Sequence, residues 1–282
     1  MTRGSTPLGT HDAFRAVTSW DEATARAWAD ALDLRALAPD QVRLRAGVLA
    51  LARVQPGDTV VEVGCGTGAL LCDLAAAVGP AGRVVGIEPQ PALANAATQR
   101  LARAGHAPVA EVRVGSAAQL SVESQSVAAC LAQTVLIHLA PALLQEVLRE
   151  MIRVVRPGGR VVSLDQDGDT WVIDHPDREL TRRIVRFNSD QRYADGWTGR
   201  NLRRLFLAEG LAGVEVTTST HVDTDGASYL SGMARRIADA AAAVGDITPG
   251  ERDGWLTQLN ASTEAGRFFS SITYYGCVGT RA

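Results

Sequence analysis

The sequence predicts an α/β fold built on a doubly wound, mostly parallel sheet of seven strands. Apolar runs alternate with segments of helical periodicity between residues 59 and 165, as in a parallel sheet covered by helices on both faces. A glycine-rich loop, GCGTG at 64–68, joins the first apolar run to a helix rich in alanine and leucine. An open parallel sheet binds ligands at such a strand-to-helix turn, so we expect this loop to touch a cofactor.

Two helices are predicted before the first strand. The tetrapeptide SWDE at 19–22 fits a capping box, apolar residues follow it at helical spacing, and a second helical segment covers about 41–54. Residues 1–45 have no strand to pair with, and they carry an amphipathic face that includes Trp20 and Trp28. We therefore expect 1–45 to form a helical lid and 46–282 to form the main domain.

The main domain alternates strands and helices and then changes character. The predicted strands are 58–64, 83–88, 109–114, 127–132, 160–165, 213–222 and 267–279. The predicted helices are 70–78, 92–104, 141–155, 178–187 and 199–208, with turns at GPAG (79–82) and RPGG (156–159). A helical insertion at 226–264 separates the last two strands, and no internal repeat marks it as a separate domain.

The composition excludes several kinds of chemistry. All 28 basic residues in the Lys+Arg count are arginines, so the chain has no lysine for a Schiff base, a pyridoxal phosphate linkage or a Walker-type loop. A net charge of −3 argues against a surface that follows nucleic-acid phosphates. The cysteines lack metal-binding spacing, which predicts reduced thiols and no metal.

The only stretch that resembles a membrane span is 127–144, and we interpret it as a buried strand that leads into a helix. It is free of charged residues, but Gln133, Thr134, His138 and Pro141 interrupt its apolar character. The amino terminus has no apolar core of a secretory signal. We expect a cytoplasmic protein without membrane partners, and the sequence permits a homodimer.

Two carboxylates near the glycine loop bear on which ligand it holds. Glu88 ends the second predicted strand, where it can accept both hydroxyls of a ribose, as a nicotinamide enzyme would also require. Glu62 lies two residues before Gly64 in an otherwise apolar strand. A carboxylate there would repel the pyrophosphate of a dinucleotide, whereas it would tolerate an amino-acid tail beneath a sulfonium.

The motifs VEVGCGTG, GIEP and VVRPGGRVV together resemble those of the class I S-adenosylmethionine-dependent methyltransferases, and the resemblance covers residues 48–222. It implies a Rossmann-like methyltransferase fold with S-adenosylmethionine as cofactor and S-adenosylhomocysteine as product. The implied cofactor contacts are Glu62, Gly64, Cys65, Gly66 and Gly68 for the amino-acid part, Glu88 for the ribose, Pro89, Gln90, Ser116 and Ala117 for the adenine, and Gln133 and Thr134 beside the methyl group. The sequence has GSA at 115–117 where the family usually has G-D-A, so Ser116 offers a hydrogen bond without a charge.

Candidate groups for the methyl acceptor come from the chain beyond the fourth strand. His138 follows that strand and is the candidate general base for an oxygen or nitrogen acceptor, or else a packing residue. Asp165, Asp167 and Asp169 begin like a calcium loop but lack its glycine and glutamate, so we expect a solvated loop with a substrate hydrogen bond. The other candidate substrate contacts are aromatic, Trp20, Trp171, Tyr193, Trp197 and Tyr229, and they suggest an apolar or aromatic small molecule.

These expectations define one function with two alternatives. The sequence predicts methyl transfer from S-adenosylmethionine to an oxygen, nitrogen or carbon atom of a small metabolite, with secondary metabolism as the setting. A protein of the same fold that binds the cofactor without methylating is the first alternative, and a nicotinamide oxidoreductase is the second.

Overall fold

The computed structural model describes residues 12–282, which contain nine α-helices and eight strands. The helices are α1 (Glu22–Leu37), α2 (Pro39–Ala52), α3 (Ala69–Val78), α4 (Pro91–Arg103), α5 (Pro141–Val154), α6 (Arg178–Phe187), α7 (Thr198–Ala208), α8 (Tyr229–Ala243) and α9 (Pro249–Glu264). The strands are β1 (Thr59–Val63), β2 (Arg83–Glu88), β3 (Ala110–Val114), β4 (Val127–Gln133), β5 (Val155–Gln166), β6 (Val172–Ile173), β7 (Ala212–Asp223) and β8 (Ser270–Thr280).

The strands form one sheet in the order β3-β2-β1-β4-β5-β8-β6, with β7 paired to the other edge of β8. Strands β1 to β5 are mutually parallel, and β8 runs antiparallel to β5, β6 and β7. The order reverses between β1 and β4, which is where an open α/β sheet forms its binding crevice. The predicted fold class is confirmed, and the sheet has one strand more than predicted because the two-residue β6 extends beyond β5 along β8.

The core lies on both faces of the sheet. Helices α2, α3, α6 and α8 pack on one face, with Leu44, Leu71 and Ile237 among their buried side chains. Helices α5 and α7 pack on the other face through residues such as Leu148 and Phe206. Strand β1 is buried on both sides, which explains its continuous apolar run.

Two local predictions are wrong. The side chain of Asp21, and not that of Ser19, caps α1, because Asp21 Oδ1 accepts a 2.7 Å hydrogen bond from the Thr24 amide while Ser19 donates to the Ala16 carbonyl. The RPGG segment, predicted as a turn before the strand at 160–165, lies within β5 and interrupts its register: Val155 pairs with Val127, and the next pair joins Arg160 to Ala129. The intervening residues loop out with Gly158 at a φ of +76°, a conformation that favours glycine.

The segment 127–144 consists of strand β4, a short 3₁₀ turn and the start of α5, in agreement with the sequence interpretation. Among the described residues, no helix is long and apolar enough to cross a membrane. Helix α2 runs across residue 45 and buries Leu44 and Val48 in the core, so the helical segment that could move independently ends at Leu37.

Candidate active site

A cavity opens at the carboxyl ends of the parallel strands around the point where the strand order reverses. Its base is formed by the glycine loop and by the ends of β2 and β4, and it is covered by α1, by α8 and by the short π-helical turn that follows α6. Twelve of the residues predicted for the site line it: Glu62, Gly64, Cys65, Gly66, Glu88, Pro89, Ala117, Gln133, Thr134, His138, Tyr193 and Tyr229.

The glycine loop folds back tightly on the second strand. The amides of Gly64 and Cys65 both donate to the Ile87 carbonyl, at 2.8 and 3.2 Å. Gly64 has a φ of +65°, and a Cβ at this position would lie 2.6 Å from the Val135 side chain, so glycine is required here. Gly68 begins α3 and packs on Ala97 outside the cavity lining. Burial raises the pKa of the Cys65 thiol well above its ordinary value, so this side chain is a packing group and not a nucleophile.

Two buried carboxylates stand beside this loop. Glu62 is 3% exposed, and its Oε2 atom has no hydrogen-bond partner among the described residues. Burial raises the pKa of Glu62 well above its ordinary value, and the nearby carboxylates of Asp73 and Glu88 act in the same direction. Glu88 accepts hydrogen bonds from the amides of Gly66 at 2.9 Å and Gln90 at 3.0 Å. Burial raises the pKa of Glu88 despite these two bonds.

Some of the residues predicted to contact the adenine and the methyl group line the cavity, and others lie outside its lining. Gln90 caps α4 through the Ala92 amide and donates to the Val17 carbonyl, so it connects α4 to the amino-terminal segment without lining the cavity. Ser116 is exposed and accepts from the Ala118 amide. Thr134 has a φ of +54°, and its hydroxyl accepts a 3.0 Å hydrogen bond from Arg35.

His138 forms a hydrogen-bonded pair that the sequence does not reveal. Its Nδ1 atom lies 2.6 Å from Oδ2 of Asp12, which is only 3% exposed. The imidazole also packs against Phe14, with ring centroids 4.6 Å apart, and against Tyr193 at 5.8 Å. When Nδ1–H of His138 donates its hydrogen bond to the Asp12 carboxylate, Nε2 is left free to act as an acceptor. This is the arrangement by which a carboxylate orients a histidine base.

Four predicted substrate contacts lie away from the cavity lining, and we no longer assign them to the substrate. Asp167 is fully buried and bound by Arg200, and Trp197 is 47% exposed with the Arg200 guanidinium 4.7 Å from its ring centre. Trp171 is buried in the core and donates to the Ser270 hydroxyl at 3.0 Å. Asp165 is fully buried below the cavity and accepts from the Ser163 hydroxyl and the Ile137 amide. The expectation of a solvated aspartate loop is therefore wrong for Asp165 and Asp167.

Trp20 also lies outside the cavity lining, although it belongs to the aromatic group that covers it. Its ring stacks on Trp28 with centroids 5.9 Å apart, and its Nε1 donates to the Ala13 carbonyl. Trp28 and Phe14 are the aromatic side chains of this group that line the cavity itself. Trp20 therefore supports the wall and does not form it.

Four arginines in the cavity wall are absent from the sequence predictions: Arg35, Arg45, Arg192 and Arg236. Arg45 forms an ion pair with Asp73. Arg35 is held by Gln41 and Thr134, whereas no hydrogen bond or salt bridge occupies the side chains of Arg192 and Arg236 among residues 12–282. Arginine-rich helices are common on solvated surfaces, so the sequence carried no signal that separated these residues from the others. Residues 12–282 contain no cluster of three or more His, Cys, Asp or Glu side chains that could hold a metal ion.

Comparison with known proteins shows that the part of the chain that contains the glycine loop is similar to methyltransferases. Residues 60–159 match a family model described as a methyltransferase domain. An uncharacterised 37.1 kDa protein in transposon TN4556 of Streptomyces fradiae is 35% identical over 224 residues, which are 78% of this chain and 62% of that protein. A demethylmenaquinone methyltransferase of Desulfitobacterium hafniense is 36% identical over 39% of this chain and 43% of its own length.

Solved structures agree at the level of the fold. The geranyl diphosphate C-methyltransferase of Streptomyces coelicolor A3(2), solved with Mg²⁺, geranyl diphosphate and S-adenosylhomocysteine, superposes with a TM-score of 0.54 at 16% identity. The match covers 86% of this chain and 79% of that structure.

The fold and the site thus define a methyltransferase-type α/β domain with its cavity at the glycine loop. Residues 60–159 carry a methyltransferase domain, in agreement with the methyltransferase resemblance seen in the sequence. It spans 62% or less of the length of each of the first relatives it matches.

Proposed function

We propose that the protein transfers a methyl group from S-adenosylmethionine to an oxygen or nitrogen atom of a small molecule with an apolar or aromatic body. The observation that carries the proposal is the buried, unpaired carboxylate oxygen of Glu62 in the same cavity as the free ring nitrogen of His138. The first suits a cationic amino group of the cofactor, and the second suits an acceptor that must lose a proton.

The residues present fit the proposed cofactor. Its ammonium group would satisfy Glu62 Oε2, which is otherwise a buried acceptor without a donor. The carboxylate oxygens of Glu88 each accept one backbone amide and retain lone pairs that can accept the two ribose hydroxyls. S-adenosylmethionine supplies a methyl group that its sulfonium already activates, so the protein has mainly to position the acceptor and exclude water.

The proton of the acceptor is the remaining requirement, and the His138–Asp12 pair meets it. Nε2 of His138 would accept the proton from a hydroxyl or amine as the new bond to carbon forms. The buried Asp12 would stabilise the imidazolium that results, because its Oδ2 atom is already 2.6 Å from Nδ1. Phe14 and Tyr193 hold the ring in place on its two sides.

The test is a mass-spectrometric screen of the protein with S-adenosylmethionine and a panel of small phenols, hydroxy acids, amines and thiols. We expect formation of S-adenosylhomocysteine together with a gain of one methylene in an acceptor that bears oxygen or nitrogen. Retention of S-adenosylmethionine without S-adenosylhomocysteine across the panel would favour a protein that binds the cofactor without methylating.

A further inference from the structure

Arg192 and Arg236 form the most unusual charged feature of the cavity. Arg192 is only 5% exposed, and the Nε atoms of both side chains are buried without a hydrogen-bond partner among the described residues. Neither guanidinium forms a salt bridge to a described carboxylate, although buried charges in proteins are normally paired. Burial lowers the pKa of Arg236, and the Arg192 cation acts in the same direction, so the two groups repel each other in the absence of an anion.

No carboxylate of residues 12–282 forms an ion pair with Arg192 or Arg236. Other arginines near the sheet have carboxylate partners, as in the pairs Arg45–Asp73 and Arg100–Asp33. Residues 1–11 contain neither aspartate nor glutamate. Asp12 lies in the same cavity, but its two carboxylate oxygens are bound to His138 and to the Phe14 amide, and it forms no ion pair with either arginine. A ligand remains as the source of the counter-charge.

The unpaired groups on this wall are hydrogen-bond donors. Besides the two arginines, Trp28 has a buried Nε1 atom without a partner, and the Arg236 guanidinium lies 5.6 Å from the centre of the Trp28 ring. At the glycine loop the unpaired group is instead an acceptor, Glu62 Oε2. The cavity therefore offers an acceptor where the amino group of the cofactor is proposed to bind, and donors on the wall formed by α1, α8 and the turn after α6.

We propose that the methyl acceptor carries an anionic oxygen group, a carboxylate or a phosphate, which Arg192 and Arg236 bind while its apolar or aromatic body packs between Phe14, Trp28 and Tyr229. This inference rests on the proposed methyl transfer and adds the charge of the acceptor to it. Guanidinium groups bind carboxylate and phosphate through paired, charge-assisted hydrogen bonds, and aromatic walls suit an apolar body. The same anion would relieve the repulsion between the two arginines.

The experiment compares three probes of similar size: phenyl phosphate, phenylacetate and the uncharged phenylacetamide. Calorimetry measures their binding to the wild-type protein with and without S-adenosylhomocysteine. We expect at least one anion to bind about tenfold or more tightly than phenylacetamide, because a charge-assisted hydrogen bond exceeds a neutral one by that order. The anion that binds more tightly then shows whether the anionic group of the acceptor is a phosphate or a carboxylate.

Variants of the two arginines test whether their side chains bind the anion. Arg192→Gln and Arg236→Gln should each reduce the affinity for the anions about tenfold and leave the affinities for phenylacetamide and S-adenosylhomocysteine unchanged. Arg235→Gln is the matched control, since Arg235 lies on the same helix but contacts Asn260 and does not line the cavity. Circular dichroism shows whether each variant is folded. If a variant does not fold, the relative affinities of the three probes for the wild-type protein still decide the question.

Two results would overturn the inference. Phenylacetamide that binds wild-type protein as tightly as both anions would mean that the wall does not select for charge. A loss of S-adenosylhomocysteine affinity in the arginine variants would mean that these side chains hold the carboxylate of the cofactor and not the acceptor. If S-adenosylhomocysteine fails to bind while an anion binds through the two arginines, the anion site stands and the methyl-transfer proposal fails.

Discussion

At the scale of single residues, the His138–Asp12 pair supports the proposed choice of acceptor. A histidine that only packs against Phe14 would not need a buried carboxylate within 2.6 Å of its ring nitrogen. The pairing stabilises a positive charge on the imidazole, which is useful if the ring receives a proton during the reaction. The pair therefore favours an oxygen or nitrogen acceptor, since a carbon or sulfur acceptor needs less help from a base.

Replacement of His138 tests this role. His138→Gln keeps a hydrogen-bonding side chain of similar size but cannot accept the proton, so we expect a fall in kcat of about a hundredfold with unchanged S-adenosylhomocysteine affinity. The acidic limb of the pH-rate profile should disappear as well, since it reports the protonation of a general base. Rates are measured as S-adenosylhomocysteine formation with the acceptor that the screen identifies.

Two further variants control this experiment. Asp12→Asn should reduce kcat by a smaller factor than His138→Gln, because it removes the charge that orients the ring but leaves Nε2 in place. His106→Gln changes a histidine outside the cavity and should leave the rate unaltered. A His138→Gln protein with wild-type rate and pH profile would make His138 a packing residue, and catalysis would then rest on proximity and orientation.

Glu88 offers a test of the proposed cofactor site. Glu88→Ala should weaken S-adenosylhomocysteine binding by about tenfold or more, because each ribose hydroxyl left unpaired costs about 1 to 3 kcal/mol. It also frees the amides of Gly66 and Gln90, so circular dichroism must show that the fold is retained. Glu111→Ala, on the neighbouring strand and in contact with Arg83 and Arg113, is the control. Unchanged calorimetric affinity in Glu88→Ala would remove this residue from the site.

The raised pKa of Asp165 allows a prediction of how the stability of the protein depends on pH. Burial raises the pKa of this carboxyl from its ordinary 3.8 to about 6, while hydrogen bonds from Ser163 and Ile137 and the charge of His138 oppose the shift. A raised carboxyl pKa means that its stabilising contribution is complete below about pH 3.8 and is lost as the pH rises through about 6. Asp165→Asn cannot ionise, so its free energy of unfolding should exceed that of the wild type increasingly between pH 4 and 7, by up to about 3 kcal/mol.

Urea unfolding at several pH values across this range measures the effect. The hydrogen-bonding changes introduced by asparagine add the same offset at every pH, so the informative quantity is the change of the difference with pH. Two stability curves that stay parallel from pH 4 to 7 would contradict the raised pKa.

At the scale of elements, α1 covers the cavity but buries few of its own side chains. Only Ala25 and Trp28 are buried among its sixteen residues, whereas α2 contributes several side chains to the core. Its contacts with the main domain include the Arg100–Asp33 ion pair and the Arg35–Thr134 hydrogen bond. Few buried contacts mean that opening costs little free energy, which is what a lid requires.

Hydrogen exchange tests the proposal that α1 is a lid. Amides in Glu22–Leu37 should gain protection when S-adenosylhomocysteine binds, because the ligand fills the cavity that α1 covers through Leu32 and Arg35. Amides in Pro141–Val154, which pack on the opposite face of the sheet, serve as the internal control and should not change. Equal protection of α1 with and without ligand would make this helix a static brace.

The elements also show what the sequence could and could not predict. Strands β1 to β5 and the helices between them follow from apolar runs and turn residues that lie next to each other in the chain, and all were predicted. The base of the cavity was predictable for the same reason, since Glu62 is conspicuous in an apolar strand and the glycines have no other local function. The opposite wall was not, because Asp12, Arg192 and Arg236 come together only in the tertiary structure.

The failed predictions have the same origin. Trp171, Trp197 and Asp167 follow β5, at the edge of the sheet where function concentrates, but the sequence does not show that Arg200 and Ser270 bind their side chains. The position of a residue just after a strand predicts correctly which edge of the sheet it lies at. Only the tertiary packing decides whether its side chain points into the cavity. Residues held by partners outside the cavity are removed from the site by those partners.

At the scale of the whole molecule, the cavity combines two buried carboxylates near the glycine loop with two arginines, Arg192 and Arg236, that are unpaired among residues 12–282 and lie on the wall formed by α8 and the turn after α6. A dinucleotide such as NADH would have to place its pyrophosphate beside Glu62 and Glu88, which are both buried and close to each other. S-adenosylhomocysteine carries an ammonium group and no phosphate, so it should bind where NADH is rejected. This difference separates the methyltransferase from the nicotinamide alternative without knowledge of the acceptor.

Thermal unfolding of the whole protein measures the difference. A ligand that binds only the folded state at about 100 times its Kd stabilises it by about 2.7 kcal/mol, which in a chain of this length raises Tm by about 5 to 10 °C. We expect such a shift with S-adenosylhomocysteine and none with NADH at the same concentration. Glu62→Gln, which removes the charge but keeps the size of the side chain, should lower the S-adenosylhomocysteine shift because the ammonium group loses its carboxylate. A larger shift with NADH than with S-adenosylhomocysteine would contradict the proposed cofactor and, with it, the role assigned to Glu62.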